Sequence, residues 1–369
     1  MASPGHSEGI TMSGGGLYSL ATIGARHVID AATPMVVEAI ESLPQASIAS
    51  GFTFSDMGTA DAGTSLAMVG KAIEAVRSRA PEAPISIVYS DQPRNDFNAL
   101  IANVYGLGPF ETYLDAHQNL FPFVSGTTFY KQILPSATLD VGFSATAMHW
   151  LSTKVCNISN HVQAVGAEGE ELQAFRDQAH RDWRQILLHR AAELKPGGKL
   201  VLINFGCDEQ GRYLGNTGGV NMFDTFNLIW VSFLDQGRID RAEYENMTLP
   251  QYYNTVDEFS APLLDAADPV HQAGLRLEHI ETRIVKCPFA ESFAEHGDAP
   301  RFAKEYIPTI RTWNESIYFN GLSTERPLEE RREIIEDYYR AYHDLVEKSP
   351  DGHGMDYVHA YMVISKQAD

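Results

Sequence analysis

The stretch Ile48-Ala-Ser-Gly51-Phe-Thr-Phe-Ser-Asp56-Met-Gly58-Thr-Ala-Asp61-Ala-Gly63 passes from a β-rich apolar run straight into an acidic turn bounded by glycines. A helical pattern follows over Ser65–Arg79, then a second apolar run, Pro84–Ser90, that ends on Asp91. Strand, turn, helix, strand is a βαβ unit, whose crossover lays the two strands parallel. The alternation continues through Leu120–Val124, Ala137–Ser144 and Lys199–Phe205, with a helix over Phe175–Leu194. In that helix Phe175, Ala179, Trp183, Ile186, Leu187 and Leu194 fall near one face. The predicted fold class is α/β, with a parallel, doubly wound sheet and strands beginning at Ile48.

Outward from this unit the pattern changes. Residues 1–11 read as a polar arm, and residues 12–16 as a flexible lead-in to a helix with apolar positions near Leu20, Ile23, Val28 and Ile29. Lys195-Pro-Gly-Gly198 reads as a turn that stops one helix and feeds the next strand. Beyond residue 210 the chain is mainly helical and aromatic-rich, apart from Leu277–Phe289 and Tyr357–Lys366, which read as the last strands. The predicted organisation is a core of residues 1–212, 268–295 and 353–369. Segments 213–267 and 296–352 are then insertions forming a helical cap over the strand ends, where open α/β sheets bind ligands.

Composition narrows the function. The 369 residues carry 28 Lys+Arg against 48 Asp+Glu, a net charge of −20 that disfavours nucleic acid as a partner. Cys156, Cys207 and Cys287 are widely spaced and form no CxxC pair, so a reducing compartment and no zinc ribbon are expected. The first residues form no leader, and no charge-free apolar run of about 18 residues occurs, so a cytoplasmic protein without a membrane span is expected. The N-x-S/T matches at Asn157, Asn246 and Asn314 are then chance. No histidine spacing predicts a metal site.

Asp56 and Gly58 stand at a strand-to-helix turn, where glycine admits close ligand approach and a carboxylate accepts from an amine or hydroxyl. The turn lacks GxGxxG, which argues against a dinucleotide cradle and an NAD-dependent dehydrogenase. Asp91, with Gln92 beside it, ends the second strand and suits the two hydroxyls of a ribose. Thr128, Phe129 and Ser144 offer hydroxyl and aromatic surface for an adenine, and His149-Trp150 offers an indole N–H for a carboxylate.

Taken in order along the chain, the motifs resemble the SABATH family of S-adenosylmethionine-dependent carboxyl methyltransferases. They are Met12-Ser-Gly-Gly with Tyr18, Asp56-Met-Gly58, Asp91-Gln-Pro-Arg-Asn-Asp96-Phe-Asn, Thr128-Phe-Tyr130, His149-Trp-Leu-Ser152, Arg190-Ala-Ala-Glu-Leu-Lys-Pro-Gly-Gly198, Leu228-Ile-Trp230 and Leu249-Pro-Gln-Tyr252. The resemblance implies a Rossmann-like class I methyltransferase sheet with an inserted, mainly helical cap, and a homodimer. It also implies S-adenosyl-L-methionine as cofactor, with S-adenosyl-L-homocysteine as product. Tyr18, Thr22, Asp56, Gly58, Asp91, Gln92, Thr128, Phe129 and Ser144 would surround the cofactor. Trp150 would hold the substrate carboxylate, with His149 beside it, and Tyr18, Trp230, Tyr306, Thr309, Arg311 and Tyr339 would complete the substrate cavity. Ala25 occupies the place of a glutamine that helps grip the carboxylate in plant members, so another donor is expected, with Arg26, His27, His149 and Arg311 as candidates.

The implied reaction is methyl transfer to the carboxylate of a small organic acid, aromatic or dicarboxylic, giving a methyl ester. Such an acid is ionised at neutral pH, so no protein base is needed. The alternatives are an N- or phenol O-methyltransferase on the same scaffold and a homologue that binds ligand without turnover.

Overall fold

The computed structural model describes residues 17–368; the polar arm and the lead-in at residues 12–16 lie outside the described residues. The strands are β1 (Phe52–Met57), β2 (Ile85–Ser90), β3 (Leu120–Ser125), β4 (Leu139–Ala145), β5 (Leu194–Cys207), the short β6 (Asn254–Thr255), β7 (Leu275–Val285) and β8 (Tyr357–Lys366). They form one sheet in the order β3-β2-β1-β4-β5-β8-β7, with β6 beside the end of β5. Strands β1 to β5 pair in parallel, while β8 runs antiparallel to both β5 and β7. Chain order reverses between β1 and β4, which opens a crevice at the carboxyl ends of those strands.

Helices α1 (Leu17–Ala21), α2 (Ile23–Glu41), α3 (Gln45–Ala49), α4 (Leu66–Arg79) and α5 (Phe97–Val104) belong to the first half of the chain, and α6 (Gly169–Glu193) precedes β5. The apolar face expected of α6 is buried from Phe175 through Leu187, and Leu194 opens β5. Around the strand ends lie α7 (Met222–Asp235), α8 (Arg241–Asn246), α12 (Ala299–Gly321) and α13 (Leu328–Lys348); α9 (Val256–Leu264), α10 (Pro269–Gln272) and α11 (Pro288–His296) connect them to the sheet. No described helix is long and apolar enough to cross a membrane. All three cysteines are free.

Several boundaries differ from expectation for local reasons. β1 begins at Phe52, because Ile48 is buried within α3 and Gly51, at φ +135°, separates the two elements. Val28 and Ile29 are buried as expected, but Leu20 and Ile23 are exposed, since α1 and α2 are separate helices and do not share one apolar stripe. Lys195–Gly198 does not end the strand pairing; it bulges within β5. Leu194 pairs with Leu139 and Lys199 with Val141, so four residues loop out opposite Asp140, and Lys195 Nζ donates to its carboxylate at 2.6 Å. Glycine suits position 198, because a Cβ there would crowd three backbone carbonyl oxygens at 3.0–3.1 Å. β7 stops at Val285 and Pro288 opens α11, where a residue without an N–H costs no hydrogen bond.

The segment 213–267 divides in two. α7 and α8 pack with α12 and α13 around an aromatic cluster in which Trp230 stacks on Tyr338 at 4.4 Å and meets Tyr318 edge-on at 5.2 Å. α9 lies instead against the sheet: Phe259 packs edge-on to Trp183, whose indole N–H donates to the Phe259 carbonyl at 3.0 Å. Residues 256–264 therefore sit with the core layer, although their sequence reads as cap.

Candidate active site

The crevice is built first from the ends of β1 and β2. Asp56 is 3% exposed, and its Oδ2 accepts from the hydroxyls of Thr59 (2.9 Å) and Ser65 (2.6 Å). Burial outweighs those two bonds and pushes its carboxyl up to about 6. Asp91 accepts from its neighbour Gln92 N–H and from Ala60 N–H, both at 2.7 Å, so the carboxylate at the end of β2 is fixed against the β1 turn. Burial raises its pKa as well. Gly58 closes the turn at φ +78°, and a Cβ there would lie 2.5 Å from that of Ala147 and against the Phe129 ring. The chain next to this turn therefore stays open only with glycine at 58.

Phe129 is held from behind. The fully buried Arg190 donates to the carbonyls of Phe129 (3.0 Å) and Lys131 (2.8 Å) and to Glu193 (2.7 Å). The Ser144 hydroxyl, expected on the cofactor, donates to the Met57 carbonyl at 2.7 Å and joins β4 to β1. Thr128 Oγ1 accepts from the Tyr130 N–H at 3.5 Å, and the Tyr130 hydroxyl donates to the Trp150 carbonyl. Helix α1 joins the same assembly through the Ser19 hydroxyl and N–H, both donated to Asp61 in the glycine turn.

A narrow cleft opens beside these groups. Tyr18, Thr22, Ala25, His149 and Trp150 are among its lining residues. Thr146, Phe205, Leu214, Gln251, Trp313, Met355 and Tyr357 complete the wall and were not foreseen. Gln251 alone had a signal, inside the Leu249–Tyr252 motif; the others stand in stretches that read as strand, helix or loop. Thr146 keeps a left-handed φ of +55°, rare for a β-branched residue, with its N–H on the Ile203 carbonyl at 2.8 Å. His149 is buried against Phe205 (4.8 Å, edge-on) and Trp150 (5.4 Å), and burial holds its imidazole down to about 3, so it is neutral at pH 7.

The remaining expected substrate contacts lie elsewhere. Trp230 is closed into the aromatic cluster. Tyr306 is buried against Phe302, and Tyr339 donates its hydroxyl to Asn314 at 2.6 Å. Thr309 donates to the Ala21 carbonyl at 2.7 Å and fastens α12 to α1. Arg311 is held by Glu315 and Glu336 above the Tyr339 ring. Of the four donors proposed to replace the glutamine absent at Ala25, Arg26 lies over Phe110, His27 is exposed and Arg311 is ion-paired; His149 reaches the cleft. The described lining contains no Lys, Arg, Asp or Glu.

The Asp56 shift has a measurable sign. Between its ordinary value near 4 and about 6, the unfolded chain has released the proton that the native state keeps. Stability therefore falls as pH rises through that window and stays lower above it. Asp56→Asn should be more stable than the parent at pH 7, by on the order of 3 kcal/mol, and nearly equal at pH 4. Denaturant unfolding at the two pH values measures this; an equal difference at both would remove Asp56 as its source.

Comparison with known proteins agrees with this architecture. The family model for SAM dependent carboxyl methyltransferases matches residues 11–367. A methyltransferase of a Fusarium species, LUC1, is 28% identical over 266 residues, covering 70% of this chain and 68% of that protein. Salicylate carboxymethyltransferase of Clarkia breweri is 24% identical over 345 residues, covering 89% of each. The solved structure of a loganic acid methyltransferase with SAH has the same fold, with a TM-score of 0.72 at 19% identity over 97% of this chain and 99% of that one. With its sheet order, its paired strand-end carboxylates and a family match over nearly its whole length, the chain belongs to the SAM-dependent carboxyl methyltransferase family.

Proposed function

We propose that this protein methylates the carboxylate of a small, mainly apolar monocarboxylic acid, giving a methyl ester. The observation that carries the reading is the cleft's lining: an indole, aromatic and aliphatic side chains, and no charged side chain among the described residues. A single carboxylate would be met at Trp150, while the second carboxylate of a diacid would be buried with no cation to pair it. A phenol nucleophile would need a proton acceptor, and His149, although it reaches the cleft, is held down to about 3 by burial and is too weak a base to supply one.

The strand-end groups fit S-adenosylmethionine. Asp91 is oriented by two backbone N–H groups and keeps lone pairs for a ribose diol. The raised carboxyl of Asp56 gains from a neighbouring ammonium, and Gly58 leaves the backbone open to it. Phe129 and Gln92 would flank the base and sugar, with Tyr18 and Thr22 between the two ligands. When bound, the cofactor supplies an electrophilic methyl carbon on a sulfonium. The chain's part is to hold the acid in line, exclude water and leave the ionised carboxylate as nucleophile, for which alignment is worth roughly 7–11 kcal/mol. The helical layer of α7, α8, α12 and α13 serves as the cap, and a cytoplasmic homodimer is the proposed working form.

Incubation with S-adenosylmethionine and a panel of aromatic, aliphatic and dicarboxylic acids, phenols and purines tests the reading by mass spectrometry. Methyl esters of monocarboxylic acids are expected. Products only from phenols or purines, or none at all, would overturn it.

A further inference from the structure

Segment 149–151 is paired with segment 250–252 beside the cleft. The Leu151 N–H donates to the Pro250 carbonyl at 2.8 Å, the Tyr252 N–H donates to the His149 carbonyl at 3.1 Å, and Trp150 and Gln251 form an antiparallel bridge. Bridge partners lie directly opposite and project to the same face, with Cβ atoms about 4.5–5.5 Å apart. Both side chains line the cleft, as does Ala25. Gln251 is 1% exposed, and its Oε1 accepts from the buried Tyr253 hydroxyl at 3.2 Å. With the oxygen engaged, the amide presents its Nε2 hydrogens, and a carboxylate accepts from such donors. Among the described residues lining this cleft, Gln251 is the sole carboxamide.

We propose that Gln251 is the second arm of the carboxylate clamp, its Nε2–H donating to one substrate oxygen while the Trp150 indole N–H donates to the other. This rests on the ester-forming function proposed above. The grip has moved from helix α2, where Ala25 leaves room, to the strand-like segment opposite Trp150. Neutral donors on both sides recognise a monoanion without burying a protein charge, which favours the carboxylate over a neutral ester and so favours release of the product.

The test uses the full chain with a monocarboxylic acid that the parent esterifies. Gln251→Ala should raise KM for the acid roughly tenfold to hundredfold, the range for a hydrogen bond to a charged group, while the dissociation constant for S-adenosylhomocysteine stays within about twofold. Gln251→Glu should lose ester formation by more than about a hundredfold, since it sets a carboxylate against a carboxylate. Returning the carboxamide from the other wall, Gln251→Ala with Ala25→Gln, should lower KM again, which a folding defect could not produce. A parental KM in Gln251→Ala, or no recovery in the double variant, would overturn the clamp while leaving the ester-forming reading intact. A parent that esterifies no acid would overturn that reading and the clamp with it.

Discussion

Replacing Trp150 with alanine should lower kcat/KM for the acid by about a hundredfold, the usual cost of losing one oriented donor at a reacting group. Affinity for S-adenosylhomocysteine should stay within about twofold, because Asp56, Asp91 and the turn at Gly58 do not depend on the indole. The backbone around Trp150 is held independently: its N–H donates to the Ala147 carbonyl at 3.3 Å and its carbonyl accepts from Tyr130. Trp150→Phe separates the two contributions of the side chain, since it keeps an aromatic face against His149 and removes the N–H. If donation dominates, phenylalanine should be nearly as slow as alanine; if exclusion of water dominates, it should recover most of the rate. Initial rates with calorimetric cofactor binding decide this, and unchanged turnover in the alanine variant would take Trp150 out of the mechanism.

Arg190→Met should destabilise the fold by about 3–5 kcal/mol, a large share of a domain's total stability. Arg190 and Glu193 are both fully buried and joined by two hydrogen bonds, so removing the cation strands a carboxylate in the core. The pair also organises the loop that carries Phe129. Arg190 binds the carbonyls of Phe129 and Lys131, and Glu193 accepts from the N–H of Leu134 at 3.2 Å. Weaker cofactor binding should accompany the lower unfolding midpoint. In Arg190→Met with Glu193→Leu much of the stability should return, because no lone charge is left buried, while cofactor binding should stay weak because the loop carbonyls have lost their donor. Urea unfolding of the three proteins measures the first effect and calorimetry the second; a single variant as stable as the parent would refute the buried-pair account.

What could be read from the sequence follows the range of the interactions involved. Asp56 and Asp91 were legible because a strand end followed by a turn is a local pattern, although the Ala60 N–H that fixes Asp91 comes from the other strand's turn. Leu214, Trp313 and Met355 were not, because they come from separate segments that meet only when the chain beyond β5 packs. Aromatic residues misled for a related reason. Trp230, Tyr306 and Tyr339, implied by the resemblance, do lie on buried helix faces, but a position in a motif does not fix a ring's neighbour: Trp230 and Tyr339 pack on Tyr338, and Tyr306 on Tyr342. Thr309 and Arg311 were drawn from the correct helix; their partners, the Ala21 carbonyl and Glu336, are remote in sequence. The Lys195–Gly198 bulge escaped because Pro-Gly-Gly signals a turn, and only the register against Leu139 and Val141 reveals that pairing resumes on both sides.

The cleft's two halves have different origins in the chain, and this separates what can drift from what cannot. Groups at the ends of β1 and β2 hold one another through short bonds, so a change at Asp56, Gly58 or Asp91 disturbs its neighbours at once. Leu214, Trp313 and Met355 touch the cleft from outside that network. A combinatorial library confined to those three positions would sample new acid shapes while the donor side stays constant, so the scaffold can acquire new acceptors without relearning how to hold its methyl source.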